Sequence, residues 1–167
     1  MSFDDGESPA QFGYKFVLCV PPAAAQKAPL HTPSLVANFF EQGTAALAQG
    51  LSDAAGAMFR KSLEAATRSD ELMAKISEGE RDGYKAKWLK ARLTRLKELH
   101  VIPPSLAELA DVIKDEGDTA IHENELYDKD SAEALQDFAE TFLEQVFTLP
   151  AQIEQVKKKR ANTRETK

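Results

Sequence analysis

Residues 130–150 read DSAEALQDFAETFLEQVFTLP and show a clear helical periodicity. Large apolar side chains recur every three or four residues, which is the spacing of one face of an α-helix, and acidic side chains occupy the opposite face. The stretch predicts a long amphipathic helix from about Asp130, with Glu133 in its first turn and with Pro150 ending or kinking it. The side chains predicted to face inward are Leu135, Phe138, Phe142, Leu143, Val146 and Phe147.

Upstream, the same periodicity predicts two helices between residues 32 and 69. Thr32 is expected to cap the first, which has Pro33 at its first position and ends before Gly50. The second starts at Ser52 and fades near Ser69. The predicted core positions of these helices are Leu35, Val36, Phe39, Phe40, Ala46, Leu47, Ala55, Met58, Phe59, Leu63 and Ala66.

Two more helices are predicted in the middle of the chain. One covers about 84–100 and stops at Pro103-Pro104, and the other opens at Ser105. Residues 69–83 are ambiguous, because a short apolar run precedes two glycines. The predicted buried positions of the 84–100 helix are Trp88, Leu89, Leu93, Leu96 and Leu99.

Composition agrees with one all-α domain of five or six helices. The chain has 167 residues, of which 43% are hydrophobic and 29% charged, typical of a globular protein. We expect an N-terminal arm over 1–30 with a strand-like segment at 14–20, a helical bundle over 31–156, and a basic, frayed tail over 157–167.

The cysteine count and the hydropathy of the chain limit the cellular compartment and the kinds of metal or cofactor site that we expect. The chain contains 1 cysteine, Cys19, which excludes an internal disulfide and a zinc site built on paired thiolates. The acidic start and the absence of a long apolar run predict a cytoplasmic protein with no membrane segment. No cofactor motif is evident, so we expect no cofactor.

Charge is distributed in blocks along the chain. The formal net charge is -6, yet residues 81–103 carry 7 basic and 2 acidic side chains, and residues 104–147 carry 2 basic and 13 acidic ones. The basic block favours contact with the phosphates of a nucleic acid, or alternatively offsets the acidic helices within the fold or across a dimer. The candidate nucleic-acid-binding residues are Lys85, Lys87, Lys90, Arg92, Arg95 and Lys97.

An acidic stripe is predicted on the helix that opens at Ser105. Asp111, Asp115, Asp118 and His122 line up at helical spacing, opposite the apolar side. This is a solvated acidic face or, alternatively, a set of metal ligands, although one straight stripe cannot surround an ion. We therefore predict no metal site.

Several motifs resemble a known family in their order along the chain. They begin with Pro33-x-x-Val36 and Ala55-x-x-Met58-x-Arg60-Lys61-x-Leu63-Glu64. A basic helix, Ile102-Pro-x-x-Leu106 and Gly117-Asp118-x-Ala120-x-His122 follow. Over about 33–155 this order resembles the bacterial family named domain of unknown function 4145, which is similar to the HEPN superfamily of helical bundles.

The resemblance implies a HEPN-like homodimer connected with bacterial or phage defence, such as restriction or toxin-antitoxin systems, with a defence protein as a possible partner. RNA-cutting HEPN domains work without metal and carry an Arg, a polar residue and a His. Here Gly117 stands at the Arg position, beside Asp118 and His122, and Lys114 lies one turn earlier. We expect a non-enzymatic binding or regulatory module. The alternative is a metal-independent endoribonuclease using His122, Lys114 and Asp118.

Overall fold

The computed structural model describes residues 25–77, 88–106 and 126–165, and every regular element in these ranges is helical. The elements are α1 (Ser34–Ala48), α2 (Ser52–Thr67), α3 (Asp70–Ser77), α4 (Leu89–Glu98), α5 (Lys129–Leu143), a π-helical segment (Glu144–Thr148) and α6 (Leu149–Glu165). Residues 104–106 are also helical. The all-α prediction is confirmed, and the strand-like segment at 14–20 lies outside the described residues.

Helix α2 is the centre of the bundle. It packs against α1, α3, α4 and α5. The turn from α1 into α2 depends on Gly50, whose φ of 75° is readily adopted by glycine. Leu51 N–H then donates to the carbonyl of Ala46 at 3.0 Å, which closes the end of α1 and lets α2 pack along it.

Two glycines allow helices and rings to approach closely. A Cβ atom on Gly43 of α1 would lie 2.6 Å from the ring of Phe59 on α2, and a Cβ atom on Gly56 of α2 would overlap the ring of Tyr127. Both positions therefore need a residue without a side chain. The Phe59 ring also packs on Phe40, with the ring centroids 5.6 Å apart.

Most of the predicted core is buried, and the exceptions have local causes. All six inward residues of the 130–150 stretch are buried. Leu35, in contrast, is 61% exposed on the first turn of α1. The predicted Thr32 cap was wrong, because Pro33 occupies the N-cap position of α1 and no side chain caps the helix there.

The basic helix is shorter than the sequence predicts. It begins at Leu89, and Trp88 before it has extended backbone, with φ of −103° and ψ of 147°. The indole consequently lies outside the helical face and is 69% exposed, so its predicted burial was wrong. The ambiguous region 69–83 contains α3, which buries Leu72 and Ile76.

Helix α5, the π-helical segment and α6 form one continuous helical rod over residues 129–165. Pro150 is the second residue of α6 and does not end the rod. Helix α6 continues through the basic run 157–160 to Glu165. In the π-helical turn Leu149 N–H donates to the carbonyl of Glu144, five residues back. None of the described helices has the length and the apolar character needed to cross a membrane.

The start of α5 generates a pH prediction. The Asp128 carboxylate accepts a hydrogen bond of 2.8 Å from Ser131 N–H, and this bond, with the Ser131 hydroxyl, lowers the pKa of Asp128. A lowered pKa means that the stabilisation is complete above the unfolded-state pKa of about 3.9 and is lost as pH falls through the folded-state value. Asp128→Ala should therefore destabilise the protein at pH 7, with a difference from wild type that shrinks on acidification.

Urea denaturation of both proteins from pH 7 to pH 2.5 measures this difference in the free energy of unfolding. Asp137→Ala, which removes an exposed carboxylate from the middle of α5, is the matched control. A difference between wild type and Asp128→Ala that stays constant over the whole pH range would contradict the capping role.

Candidate functional site

The described residues contain four of the nine predicted site residues, all on α4. Lys85, Lys87, Lys114, Asp118 and His122 lie outside the described residues. The predicted acidic stripe, which comprises Asp111, Asp115, Asp118 and His122, also lies outside the described residues. Within the ranges that the structure describes, no three His, Cys, Asp or Glu side chains come together as a group able to hold a metal ion.

Three of the four basic residues on α4 reach solvent. Lys90 and Lys97 are exposed and lie seven positions apart, on the same side of the helix. Arg95 is 25% exposed and forms an ion pair of 3.1 Å with Glu98. An exposed pair of this kind contributes little to stability. These side chains provide a small basic surface.

Arg92, the fourth basic residue, lies inside the protein. Its side chain is 1% exposed, and its Nε donates to Thr67 Oγ1 at 2.9 Å. The Thr67 hydroxyl in turn donates to the carbonyl of Leu63 at 2.8 Å. Arg92 therefore joins α4 to α2 and is not available to a phosphate at the surface.

Glu64 connects this buried arginine to solvent. Its Oε2 lies 3.0 Å from Arg68 Nη2 and 3.6 Å from Arg92 Nη2. Burial lowers the pKa of the Arg92 guanidinium, nearby Arg68 lowers it further, and Glu64 raises it. The guanidinium nevertheless stays charged at neutral pH, because arginine is not deprotonated in proteins. We call Glu64, Thr67, Arg68 and Arg92 the arginine cluster.

The arginine cluster adjoins a groove of about 910 Å³ between α1 and α2, which we call the α1/α2 groove. Its apolar wall comes from Pro33, Leu35, Val36, Phe39, Ala57, Ala65 and Phe147. Its polar and charged lining comes from His31, Arg60, Lys61, Glu64, Arg68, Asp70 and Glu71. The groove thus combines an apolar surface with charges of both signs.

The segment Arg60-Lys61-x-Leu63-Glu64 is divided between the core and this groove. Leu63 is buried, whereas Arg60, Lys61 and Glu64 line the groove. Lys61 Nζ lies 4.7 Å from the centroid of the Phe39 ring, a cation–π contact across the two helices. The polar positions of this segment therefore face the groove and not the bundle interior.

The sequence analysis did not select the α1/α2 groove. The available signal was the clustering of Arg60, Lys61 and Glu64 within five positions of α2. Helical periodicity alone assigns such charges to a solvated face. The groove can be recognised only from the distance between α1 and α2, which the pattern of a single helix does not contain.

We expect Arg92→Ala to lower the free energy of unfolding by about 2–5 kcal/mol, because it removes a large buried side chain and the bond to Thr67. Lys90→Ala, an exposed position on the same helix, should change it by less than about 0.5 kcal/mol. Chemical denaturation of the two variants measures both values. Equal, small effects would show that Arg92 is not part of the core.

One of three comparisons with known proteins gives a match, and it confirms the family resemblance. The model of the family described as "Domain of unknown function (DUF4145)" matches residues 42–159. No curated protein and no solved structure matched the chain. The match includes the charged segment of α2, the buried arginine of α4 and the whole of α5. Since it covers more than half of the 167 residues, the chain belongs to the DUF4145 family of domains of unknown function.

Proposed function

We propose that this protein is a non-enzymatic binding or regulatory module with a HEPN-like bundle, acting as a cytoplasmic homodimer in a bacterial or phage defence system. The all-helical bundle and the membership in DUF4145 support the architecture. The resemblance of that family to HEPN bundles is the basis for the dimer and for the defence context. The ligand class is a protein partner, with nucleic acid as a second ligand.

The observation that carries the proposal is the α1/α2 groove. A partner protein typically offers an apolar anchor surrounded by polar and charged groups, and the groove has a matching composition. Leu35 and Phe39 supply apolar surface beside Lys61, while Glu64 and Arg68 supply charges of both signs. A small metabolite would use fewer of these groups than an extended protein segment does.

Photo-crosslinking in the native cell tests the groove. A crosslinking amino acid at Leu35, which is 61% exposed and lines the groove, should capture a defined partner protein. The same amino acid at Gln49, exposed at the far end of α1, should not capture it. Adding Lys61→Glu to the Leu35 crosslinker should reduce the yield, because it reverses a charge on the groove.

Equal capture from positions 35 and 49, or a yield that is insensitive to Lys61→Glu, would contradict a partner in the groove. The comparison depends on position and not on capture alone, so proteins that adhere nonspecifically are excluded by the Gln49 control.

The proposed nucleic-acid surface on α4 is formed by Lys90 and Lys97 on one side of the helix, with Arg95 on another side. Lys85 and Lys87, which the proposal also includes, lie outside the described residues. Such lysines neutralise phosphates without reading bases, so binding should be weakly selective for sequence and strongly dependent on salt. Arg92 is left out of this surface because it is buried.

Titration of labelled single-stranded RNA with the purified protein measures this contact. We expect binding without cleavage, and a loss of affinity together with a shallower salt dependence in Lys90→Glu/Lys97→Glu. Lys27→Glu/Lys129→Glu has the same change in net charge away from α4 and is the control. Equal losses in both variants would exclude a local surface on α4.

The same RNA distinguishes the alternative function, a metal-independent ribonuclease that uses His122. Acid–base catalysis alone is worth about 10² to 10⁴ in rate, which is too little for phosphodiester cleavage without stabilisation of the developing negative charge. We therefore expect no cutting. RNA that is cut by wild type and left intact by His122→Ala would replace the binding module with the nuclease.

A further inference from the structure

Trp88 lies at the protein surface, directly before the first residue of α4. The chain contains 1 tryptophan, and this residue is 69% exposed. Tryptophan is highly buried on average in folded proteins, because its large ring gains much from leaving water. Among the large hydrophobic residues that are exposed in the described ranges, Trp88 is the one aromatic. Its ring is therefore an unusual feature of this surface.

The backbone that carries the Trp88 ring is held by the bundle. Arg92 N–H donates to the Trp88 carbonyl at 3.2 Å, and Leu89, the next residue, is buried in the core. The Arg92 side chain is itself bound to Thr67 Oγ1 of α2 at 2.9 Å. The ring thus projects into solvent from an ordered backbone, which lowers the ordering cost that a ligand meets on binding.

The surface of α4 next to this ring is polar. The apolar side of α4 is buried in the core. The exposed positions of α4 are Lys90, Thr94, Lys97 and Glu98. A protein partner anchored on Trp88 would need further apolar surface around the ring, and a membrane would need an apolar helix face. Helix α4 offers neither of these surfaces.

A strand of nucleic acid suits one aromatic ring with lysines near it. Lys90 follows Trp88 by two residues, so their Cα atoms are at most about 7 Å apart. The long side chains of both residues can therefore contact the base and the phosphate of one nucleotide or of two neighbouring nucleotides. Lys97 lies about 10 Å further along the helix axis, on the side of Lys90, where it can contact a later phosphate of the strand.

We propose that the Trp88 ring stacks on a base of a single-stranded nucleic acid whose phosphates are bound by Lys90 and Lys97. The inference rests on the nucleic-acid contact of the proposed function and names the form of nucleic acid that is bound. Bases within a duplex are covered by their neighbours, whereas the bases of a single strand can be splayed out onto an aromatic side chain. Every base has a π-face, so the contact tolerates any sequence and either sugar.

Stacking also explains how an acidic protein retains a polyanion. The formal net charge is -6, and the exposed Glu98 lies next to Lys97. The attraction of a few lysines for phosphate is weakened by these acids and is screened by salt. The contact between a base and the indole is not screened in this way, so it supplies the part of the affinity that persists at high salt.

The test uses the fluorescence of Trp88, which is the single indole of the chain. Oligothymidine and oligouridine should quench the emission of the wild-type protein, since both bring bases onto the ring. A DNA duplex and inorganic polyphosphate should leave the emission unchanged, because the duplex keeps its bases stacked and polyphosphate has none.

Anisotropy of labelled oligothymidine gives the dissociation constants of the variants. Trp88→Ala and Trp88→Leu should weaken binding by about 5- to 150-fold, the range that corresponds to one stacked base. Trp88→Phe keeps an aromatic face and should retain most of the affinity. Leu126→Ala is the matched control, because Leu126 is 75% exposed and lies beside Asp53 at the other end of α2. Circular dichroism shows that each variant is folded.

Binding of oligothymidine without quenching would overturn the stacking contact, as would unchanged affinity in Trp88→Ala or equal affinity for single strand and duplex. If Lys90→Glu/Lys97→Glu still weakens binding in those cases, the phosphate surface of the proposed function stands without Trp88. Equal losses in Trp88→Leu and Trp88→Phe would also overturn stacking. A wild-type protein that binds no nucleic acid would overturn both this inference and the nucleic-acid contact on which it rests.

Discussion

The bundle depends on the close contact of α2 with the helices around it. Gly43 lets the Phe59 ring lie against the backbone of α1, and Gly56 gives the Tyr127 ring the same space at the start of α5. A Cβ atom at either position would overlap a ring, so the ring or its helix would have to shift and the packing on α2 would be disturbed. Because α1, α3, α4 and α5 all pack on α2, such a disturbance reaches the centre of the bundle.

The contact between α2 and α4 also depends on polar groups, which surround the buried Arg92. A buried guanidinium is unfavourable unless it is hydrogen-bonded and paired with an opposite charge, and α2 supplies both: Thr67 Oγ1 accepts from Nε, and the Glu64 carboxylate forms an ion pair of 3.6 Å with Nη2. Glu64 is 30% exposed and also holds Arg68, so the buried charge is connected to the wall of the α1/α2 groove. The Glu64 carboxylate therefore contributes both to the packing of α4 on α2 and to the charge of the α1/α2 groove.

Helical periodicity predicted the long helices well. It failed at α4, where the apolar spacing begins before the first residue of the helix. The six core residues of the 130–150 stretch were predicted from spacing alone, because α5 and the π-helical segment keep them on one side. Trp88 fits the same spacing as Leu89 and Leu93, but its extended backbone removes it from the helix. Arg92 was placed with the surface cations because of its charge, although it lies three residues after Leu89 and four before Leu96, on the buried side. The α1/α2 groove required the distance between two helices, which no pattern within one helix contains.

Pro150 shows how local chemistry determines the shape of the whole rod. A proline within an α-helix lacks an N–H donor and its ring collides with the carbonyl four residues earlier. Here the preceding turn is widened into a π-helix, and the last donor before the proline, Leu149 N–H, bonds to Glu144 five residues back. The helix continues without a break, but a wider turn rotates every later side chain relative to α5. Leu149 and Ile153, which lie next to this turn, are 42% and 46% exposed and line a cleft together with the buried Val146.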